Sequence, residues 1–284
     1  METHDEYLVR RVSSTETLDS LTSFPRYFEV ETVNACNAAC PMCTIADWKR
    51  KDGVMKEDLF EKIATEIGGH PEVKRVHLYR DGEPLLDKKL PARIARMKRA
   101  GVKEVGISTN AQLLDEKRGL AILQAGLDEI IISIDSIYGN VYGKIRVGLD
   151  FNTVMENAHR FFWLRDGLRS KCKIRVRMIR QELNEHEWYY GRFQQEWANQ
   201  HKLRPGDRIE CLDIHNWGGQ LDGFKAMEPA DTSRPCLALW SLMTIFADGT
   251  VPLCNVDYNA KHKLGNVRDN SIADLWRSLE QNRR

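Results

Sequence analysis

The sequence predicts an α/β fold: a partial (β/α)6 barrel, open rather than closed, followed by a small β-rich module. Apolar and β-branched runs alternate with helical patterns through most of the chain, and repeated strand–helix units favour a parallel sheet covered by helices. Six such strands are too few to close an eight-stranded barrel. After about Trp217 the pattern changes to glycines, turns and short β segments. We therefore predict an N-terminal extension (1–27), the barrel (28–217) and a C-terminal module (218–284).

The predicted strands and helices follow each other in a regular order. Strands are predicted over 28–33, 75–79, 105–108, 130–134, 174–179 and 208–214. Helices are predicted over 56–67, 90–100, 115–125, 151–165 and 185–200. Gly101, Gly126 and Gly167 stand just beyond helix ends, where glycine commonly stops a helix. The continuous apolar run Ile130–Ile134 is typical of a buried parallel strand.

Composition and charge exclude several classes of function. The 284 residues include 42 Lys and Arg and 41 Asp and Glu, so the formal net charge is +1. No basic excess indicates binding to nucleic acid or to an anionic membrane, and the run Lys49–Lys51 is expected to be a solvated loop. The sequence contains neither a membrane span nor a signal peptide, so a cytoplasmic protein is expected. Seven cysteines without an export signal argue against a disulfide framework.

The strongest chemical signal is a run of three cysteines directly after the first predicted strand. Cys36, Cys40 and Cys43 are separated by three and by two residues. Three thiolates on one loop suit a [4Fe–4S] cluster, which normally takes four cysteines, so one iron stays open to a small molecule. A zinc site is an alternative, although structural zinc usually takes four protein ligands. Unligated buried cysteines are a second alternative, which this close spacing disfavours.

This run resembles the CxxxCxxC hallmark of the radical S-adenosylmethionine (SAM) superfamily, and the resemblance extends over about residues 28–215. It implies that SAM chelates the open iron, that the reduced cluster cleaves SAM, and that a 5′-deoxyadenosyl radical abstracts a substrate hydrogen. The cofactor supplies this chemistry, while the protein supplies position and exclusion of water.

The resemblance also implies SAM-binding residues at the ends of the predicted strands. Asp81–Pro84 resembles the family's GGEP motif, with its first glycine replaced by Asp81. Gly82 and Glu83 are retained, and Asn110 belongs to a segment similar to the family's TN motif. Without the resemblance, the residues of these two motifs would be assigned to a turn and a helix cap. Ser133 and Asp135 would be a turn or a second helix cap, and Arg146 would be a surface charge. The other implied SAM contacts are Met42 near the adenine, Ser133 and Asp135 near the carboxylate or ribose, and Arg146 at the carboxylate.

A second pair of cysteines lies in the predicted C-terminal module. Cys236 and Cys254 have 17 residues between them, and the Asp-Gly turn in this interval favours a hairpin that brings the thiols together. Two buried cysteines without a metal are the alternative. The segment resembles the SPASM/Twitch extensions of radical SAM enzymes, which implies an auxiliary [4Fe–4S] cluster. Because no cysteine follows Cys254, we expect the remaining ligands beyond Arg284 or, as the less favoured choice, a site completed by Cys211, another residue or the substrate.

Three further features are candidates for substrate chemistry. Arg177 shares one strand face with Arg175 and is predicted to bind an anionic group or to assist deprotonation of a substrate radical. Cys211 is a candidate hydrogen donor. The segment 215–219 is expected to close the pocket or to form an interdomain hinge.

Together these features predict a radical SAM oxidoreductase that oxidises a sugar, an aminocyclitol or another small molecule. By analogy with the family, the auxiliary cluster would accept the second electron. The alternatives are a radical epimerase, a peptide maturase and a non-catalytic Fe–S scaffold. The expected partners are a small-molecule or peptide substrate and an electron donor such as flavodoxin or ferredoxin, with no nucleic acid and no membrane.

Overall fold

One parallel sheet of seven strands organises the part of the chain that the computed structural model describes. That part comprises residues 18–51, 53–214, 216–221 and 236–279. Its strands, in chain order, are β1 (Tyr27–Val30), β2 (Val33–Asn34), β3 (Gly53–Val54), β4 (Arg75–His77), β5 (Glu104–Thr109), β6 (Glu129–Ser133), β7 (Lys173–Arg180), β8 (Arg208–Asp213), β9 (Leu242–Ile245), β10 (Thr250–Pro252) and β11 (Lys263–Asn266). The large sheet has the order β8-β7-β6-β5-β4-β1-β9, while β2 with β3 and β10 with β11 form two small antiparallel sheets.

Helices pack against this sheet through apolar stripes. In chain order the α-helices of the described residues are α1 (Leu18–Ser23), α2 (Glu57–Gly68), α3 (Leu90–Arg99), α4 (Glu116–Gln124), α5 (Gly139–Ile145), α6 (Phe151–Gly167), α7 (Glu185–Tyr189), α8 (Arg192–Gln200), α9 (Ala238–Ser241) and α10 (Ile272–Ser278). In α2, for example, Leu59, Ile63 and Ile67 recur at helical spacing and are buried. The apolar periodicity that predicts these helices therefore also packs them against the sheet.

The two faces of the sheet differ in chemistry, because side chains alternate along each strand. One face carries fully buried apolar residues such as Ile107, Ile132 and Val176, which belong to the main hydrophobic core. The other face, away from this core, is rich in charge. Its ionic residues include Arg75, His77, Glu129, Arg175, Arg177 and Glu210.

The predicted α/β barrel core is confirmed, with three differences in detail. The first predicted strand, 28–33, is divided into β1 and β2, and β2 pairs with β3 outside the main sheet. The predicted helix 185–200 is broken into α7 and α8 at Gly191, which has a φ of 70°. A seventh strand, β9, pairs in parallel with β1, so the C-terminal segment contributes to the sheet.

The hairpin predicted between Cys236 and Cys254 forms only at its turn. The Asp-Gly turn itself forms, since the amide of Gly249 donates to the carbonyl of Phe246 at 2.8 Å and Gly249 has a φ of 93°. However, the strands on either side belong to different sheets: β9 pairs with β1, and β10 pairs with β11. The predicted domain boundary at 217/218 remains a prediction, and the neighbouring residues 222–235 lie outside the described residues.

Membrane insertion finds no support in the described helices. Among them, none combines the length and the apolar character that a bilayer crossing requires.

Candidate active site

The three cysteines of the CxxxCxxC run line one cavity of about 220 Å³ at the carboxyl ends of the central strands. Cys36, Cys40 and Cys43 occupy the loop that follows β2. This loop is folded tightly, because the amide of Cys43 donates to the carbonyl of Cys40 at 2.9 Å. The cavity brings together most of the residues that the sequence predicts for SAM binding, namely Met42, Gly82, Glu83, Asn110, Ser133 and Arg146.

Gly82 lies where the loop after β4 passes directly over the cysteine segment. A Cβ atom at this position would approach the carbonyl oxygens of Val33 and Ala35 to 2.3 and 2.7 Å. Next to it, the amide of Glu83 donates to the Ala35 carbonyl at 2.8 Å. Only glycine therefore allows this close approach of two backbone segments.

The Glu83 carboxylate organises the cavity wall from a buried position. It accepts hydrogen bonds from the hydroxyl of Thr109 at 2.7 Å, the amide of Asn110 at 2.8 Å and the amide of Leu85 at 3.1 Å. Burial raises the pKa of Glu83, while these hydrogen bonds oppose the shift. The Asn110 side chain in turn lies 3.9 Å from the Cys36 sulfur. The acid thus ties the ends of β4 and β5 to the cysteine loop.

Arg146 provides a cation beside the second cysteine. Its Nη1 lies 3.8 Å from the Cys40 sulfur, and its Nε lies 2.6 Å from a carboxylate oxygen of Asp135. The other oxygen of Asp135 accepts the amide of Ile179 at 2.7 Å. Asp135 is fully buried and does not line the cavity. Asp135 therefore supports Arg146 from behind instead of making the predicted contact with SAM.

The thiol set fits a [4Fe–4S] cluster better than a single metal ion. In the described part of the chain, neither a fourth cysteine nor a histidine lines the cavity. The same residues contain no group of three or more His, Cys, Asp or Glu side chains placed to hold one metal ion. Structural zinc usually takes four protein ligands on one ion, whereas three thiolates on separate irons of a cubane would leave one iron open.

Burial favours the protonated form of the three thiols before a metal binds. Burial raises the pKa of all three, and it raises the pKa of Cys36 to about 11. Iron binding therefore has to release these protons, as expected for thiolate ligands.

A buried arginine connects the cysteine loop with the C-terminal segment. Arg50 pairs with the carboxylates of Glu31 at 2.5 Å and Asp81 at 3.0 Å. Its Nε donates to the carbonyl of Tyr258 at 2.6 Å, and its guanidinium lies 3.7 Å from the ring centroid of Phe246. One side chain thus contacts the residue after β1, the loop after β4 and two parts of the C-terminal segment.

The prediction of a solvated basic loop at Lys49–Lys51 is therefore wrong for its central residue. The Arg50 side chain is only 11% exposed, because two buried carboxylates surround it. Neither partner is near it in sequence. Asp81 explains why the first position of the GGEP-like motif differs from glycine, since its carboxylate also pairs with Arg80 at 3.2 Å.

Trp217 lines the cavity. The sequence predicts only that its segment, 215–219, closes the pocket or forms a hinge. The Nε1 of Trp217 donates to the carbonyl of Met42 at 3.3 Å. The guanidinium of Arg80 lies 5.3 Å from the centroid of its ring. This position agrees with the closing role, whereas His215 of the same segment lies outside the described residues.

The two predicted catalytic residues lie on opposite faces of the sheet. Arg177 lies on the charged face, and its Nε donates to Glu210 at 2.7 Å. Cys211 follows Glu210 on β8 and so points to the other face, where it packs against the main core. Burial raises the pKa of its thiol to about 11. Cys211 does not line the cavity. The role of this thiol as a hydrogen donor remains a prediction.

The two cysteines of the C-terminal segment lie at the ends of short elements. Cys236 is exposed and precedes α9, and Cys254 is half-buried and follows β10. That Cys236 and Cys254 bind one auxiliary cluster together remains a prediction.

Comparison with known proteins identifies the family of this parallel α/β barrel with three thiols at one end. Residues 30–162 match the radical SAM superfamily. Residues 236–283, beginning at Cys236, match the SPASM iron–sulfur cluster-binding domain. The chain therefore carries a radical SAM domain followed by a C-terminal SPASM-type module. These domains imply a [4Fe–4S] cluster, SAM and an auxiliary Fe–S cluster as its cofactors.

Individual relatives differ in what they do. The tungsten-containing aldehyde ferredoxin oxidoreductase cofactor-modifying protein of Pyrococcus furiosus is 31% identical over 110 residues, or 39% of this chain and 31% of that protein. The chain thus spans about a third of that relative. The SAM-dependent 2-deoxy-scyllo-inosamine dehydrogenase of Niallia circulans is 23% identical over 251 residues, or 87% of this chain and 80% of that protein. The structure of Streptococcus suis SuiB bound to the precursor peptide SuiA has a TM-score of 0.69 at 15% identity, covering 95% of this chain and 69% of SuiB.

Proposed function

We propose that this radical SAM enzyme dehydrogenates a small polar molecule, a sugar or an aminocyclitol, bound on the charged face of the sheet beside the cysteine cavity. The observation that carries the proposal is the continuity between this cavity and the charged face. Ser133 lines the cavity and is the register partner of Arg177, which pairs with Glu210 on β8. Because neighbouring strands lie about 4.8 Å apart, these charges adjoin the space expected for SAM.

The cavity residues divide the work of binding the cofactors. Cys36, Cys40 and Cys43 would hold the [4Fe–4S] cluster as thiolates. When bound, the cluster and SAM supply a carbon-centred radical that removes a hydrogen atom from the substrate. Arg146, fixed by Asp135, would bind the SAM carboxylate, since a guanidinium grips a carboxylate through two donors.

The remaining wall residues would orient SAM and exclude water. Gly82 and Glu83 form the wall after β4, and Asn110 forms it after β5. Met42 and Trp217, joined by a hydrogen bond, cover the cavity near the cysteine loop. Exclusion of water matters here because a carbon-centred radical has to react with the substrate before it reacts with any other molecule.

The charged face suits a substrate with hydroxyl and amine groups. Arg177 keeps the four N–H donors that it does not give to Glu210, and Glu210 adds a carboxylate acceptor. Arg175 extends this arrangement, because it pairs with Glu210 at 2.6 Å and with Glu129 at 3.4 Å. A site built from such groups disfavours apolar analogues, since these would displace water from the charges without replacing its hydrogen bonds.

The likeness to the Niallia circulans dehydrogenase, which extends over most of both chains, supports an oxidation. Dehydrogenation removes two electrons, one of them with the abstracted hydrogen atom. An auxiliary cluster, for which Cys236 and Cys254 are the candidate ligands, would supply an acceptor for the second electron.

The class of reaction is tested by reconstituting the protein anaerobically with iron and sulfide and then adding SAM and dithionite. We expect 5′-deoxyadenosine and methionine from the wild type and none from Cys40→Ala. Absence of both products from a fully loaded, reduced wild type would contradict the proposal and favour an Fe–S scaffold.

The substrate class is tested with a panel of aminocyclitols, sugars and short peptides in the same assay. We expect an aminocyclitol or a sugar to increase 5′-deoxyadenosine formation and to yield a product lighter by two hydrogen atoms. Turnover of peptides alone would point to a maturase. A product with the mass of the substrate in ordinary water, and one mass unit heavier in heavy water, would point to an epimerase.

A further inference from the structure

An apolar groove opens at the same end of the sheet as the cysteine cavity, on the outside of the barrel. It has a volume of about 580 Å³ and lies between the loops after β4 and β5 and the first turns of α3 and α4. Leu85 and Leu113 contribute from the two loops, and Leu90 and Ile122 contribute from the two helices. This groove is separate from the substrate face, because helices α3 and α4 lie on the other side of the sheet.

The rim of the groove is basic. Lys88, Lys117 and Arg118 line it and are exposed. Arg118 is paired with Asp115, while neither lysine has an ion-pair partner among the described residues. Asp87 is the one carboxylate in the lining; it is buried and lies 3.3 Å from Arg93. The unpaired charges that line the groove are therefore positive.

Hydrogen bonds connect the wall of the groove to the first cysteine. The amide of Leu85 donates to one oxygen of Glu83 at 3.1 Å, and the other oxygen accepts the amide of Asn110 at 2.8 Å. The side-chain nitrogen of Asn110 lies 3.9 Å from the Cys36 sulfur. The groove is thus separated from the cysteine loop by two side chains.

We propose that this groove is the docking site of a small acidic electron-carrier protein, a flavodoxin, and the point at which the reducing electron enters. The inference rests on the proposed radical chemistry, which requires one electron for each SAM cleaved. The reduced flavin of the carrier loses one electron, and the cluster held by Cys36, Cys40 and Cys43 gains it; no bond forms and no proton is transferred between the two proteins. An apolar floor with a charged rim is the arrangement that steers and holds an oppositely charged protein.

A second copy of this chain fits the groove less well than an acidic carrier. The chain has a formal net charge of +1, so a second copy brings no net negative charge to the lysines on the rim. An acidic protein gains attraction from both lysines, and that attraction is screened by salt.

The binding test uses the reconstituted enzyme titrated with oxidised flavodoxin, followed by the flavin signal. We expect Kd to rise with ionic strength, and we expect Lys88→Glu/Lys117→Glu to weaken binding at low salt by about tenfold or more. The matched control is Lys171→Glu/Lys202→Glu, which reverses two exposed lysines at the amino ends of β7 and β8. Equal binding by wild type and groove variant, or equal weakening by the control, would overturn the proposal.

A kinetic comparison separates the docking site from the chemistry. With reduced flavodoxin as donor, the groove variant is expected to cleave SAM about tenfold more slowly than wild type at subsaturating donor. With dithionite, the two proteins are expected to react at equal rates. A groove variant that is slow with both donors overturns the docking site. A wild type that fails with dithionite overturns the proposed function, while the binding titration still decides whether the groove docks flavodoxin. A lysine-dependent dimer in sedimentation would also overturn the proposal in favour of self-association.

Discussion

Gly82 is the residue at which backbone geometry most directly limits the site. A methyl group there meets two carbonyl oxygens at distances far inside van der Waals contact, and neither oxygen belongs to a flexible side chain. We expect Gly82→Ala to displace the cysteine loop, to lower the free energy of unfolding by about 1–3 kcal/mol and to reduce the iron content after reconstitution. Urea unfolding and iron analysis measure the two effects.

Gly143 supplies the matched control for this substitution. It lies within α5 and would meet nothing within 4 Å of an added Cβ. Gly143→Ala is expected to leave both quantities unchanged or to increase stability slightly, because alanine is the better helix former. If Gly82→Ala loads iron as well as Gly143→Ala does, the close approach does not position the cysteine loop.

Arg177 is the residue whose role separates substrate binding from SAM cleavage. Since its guanidinium pairs with Glu210 next to Ser133, we expect Arg177→Gln to lower kcat/KM for the substrate by about 10- to 100-fold. SAM cleavage without substrate is expected to persist. The control is Arg180→Gln on the same strand, whose native side chain pairs with Asp213. Parallel loss of both activities in Arg177→Gln would place this arginine at SAM instead of the substrate.

At the scale of single residues, local patterns predict more than non-local ones. Cysteine spacing is a property of one loop, so the shared cavity of Cys36, Cys40 and Cys43 follows from sequence. Arg50 and Asp135 are different, because their burial depends on elements far away along the chain. A lysine- and arginine-rich run looks solvated until the carboxylates that enclose it are known.

At the scale of elements, the Arg50 ion network joins the cysteine loop to the C-terminal segment. Removing one partner from a buried ion pair leaves a charge without compensation. We therefore expect Arg50→Met to lower the free energy of unfolding by about 3–5 kcal/mol, as measured by urea denaturation. The pKa of Glu31, which burial raises and Arg50 lowers, should rise further in this variant.

A double variant distinguishes this charge effect from simple loss of packing. In Arg50→Met/Glu31→Gln no unpaired carboxylate remains at Glu31, so its destabilisation should be smaller than the sum of the two single changes. Arg99→Met, at the end of α3, controls for the loss of an exposed arginine. Strict additivity in the cycle would show that the pair does not act as a unit.

Element positions were predictable to different degrees. Apolar runs such as Ile130–Ile134 identify the barrel strands because burial on both faces of a parallel sheet demands them. Strand β9 has only four residues and pairs with β1 across more than two hundred positions of sequence. Its periodicity therefore carries no information about its partner. The same reason explains why the turn at Gly249 forms while the strands on either side of it pair with other strands.

At the scale of the whole molecule, a histidine pair makes folding sensitive to acid. His201 is buried, stacks on Phe162, and its Nε2 lies 2.7 Å from Nδ1 of His159. Burial, and after it the neighbouring His159, lower the pKa of His201 to about 4. In the unfolded chain the imidazole titrates near its ordinary pKa of about 6.5.

The sign of the pH effect follows from these two values. Between pH 6.5 and 4 the unfolded chain binds a proton at His201 that the folded chain does not bind. The stability contributed by the neutral ring is thus present above pH 6.5 and is lost as pH falls towards 4. The loss between pH 7 and 5 should be about 1–2 kcal/mol.

The variant His201→Phe tests this origin of acid sensitivity, because phenylalanine keeps a ring in the stack and removes the titration. Urea unfolding of the cluster-free protein at pH 7, 6 and 5 should give a smaller loss of stability for this variant than for wild type. His186→Phe, at an exposed position on α7, should follow the wild-type pH dependence. An unchanged slope in His201→Phe would show that other groups, such as the buried carboxylates, govern the response.

The buried carboxylates act in the opposite direction where burial raises their pKa, as it does at Glu83 and Glu187. Their contribution to stability increases as pH falls. The net slope of the wild type therefore measures the balance between the two kinds of buried group.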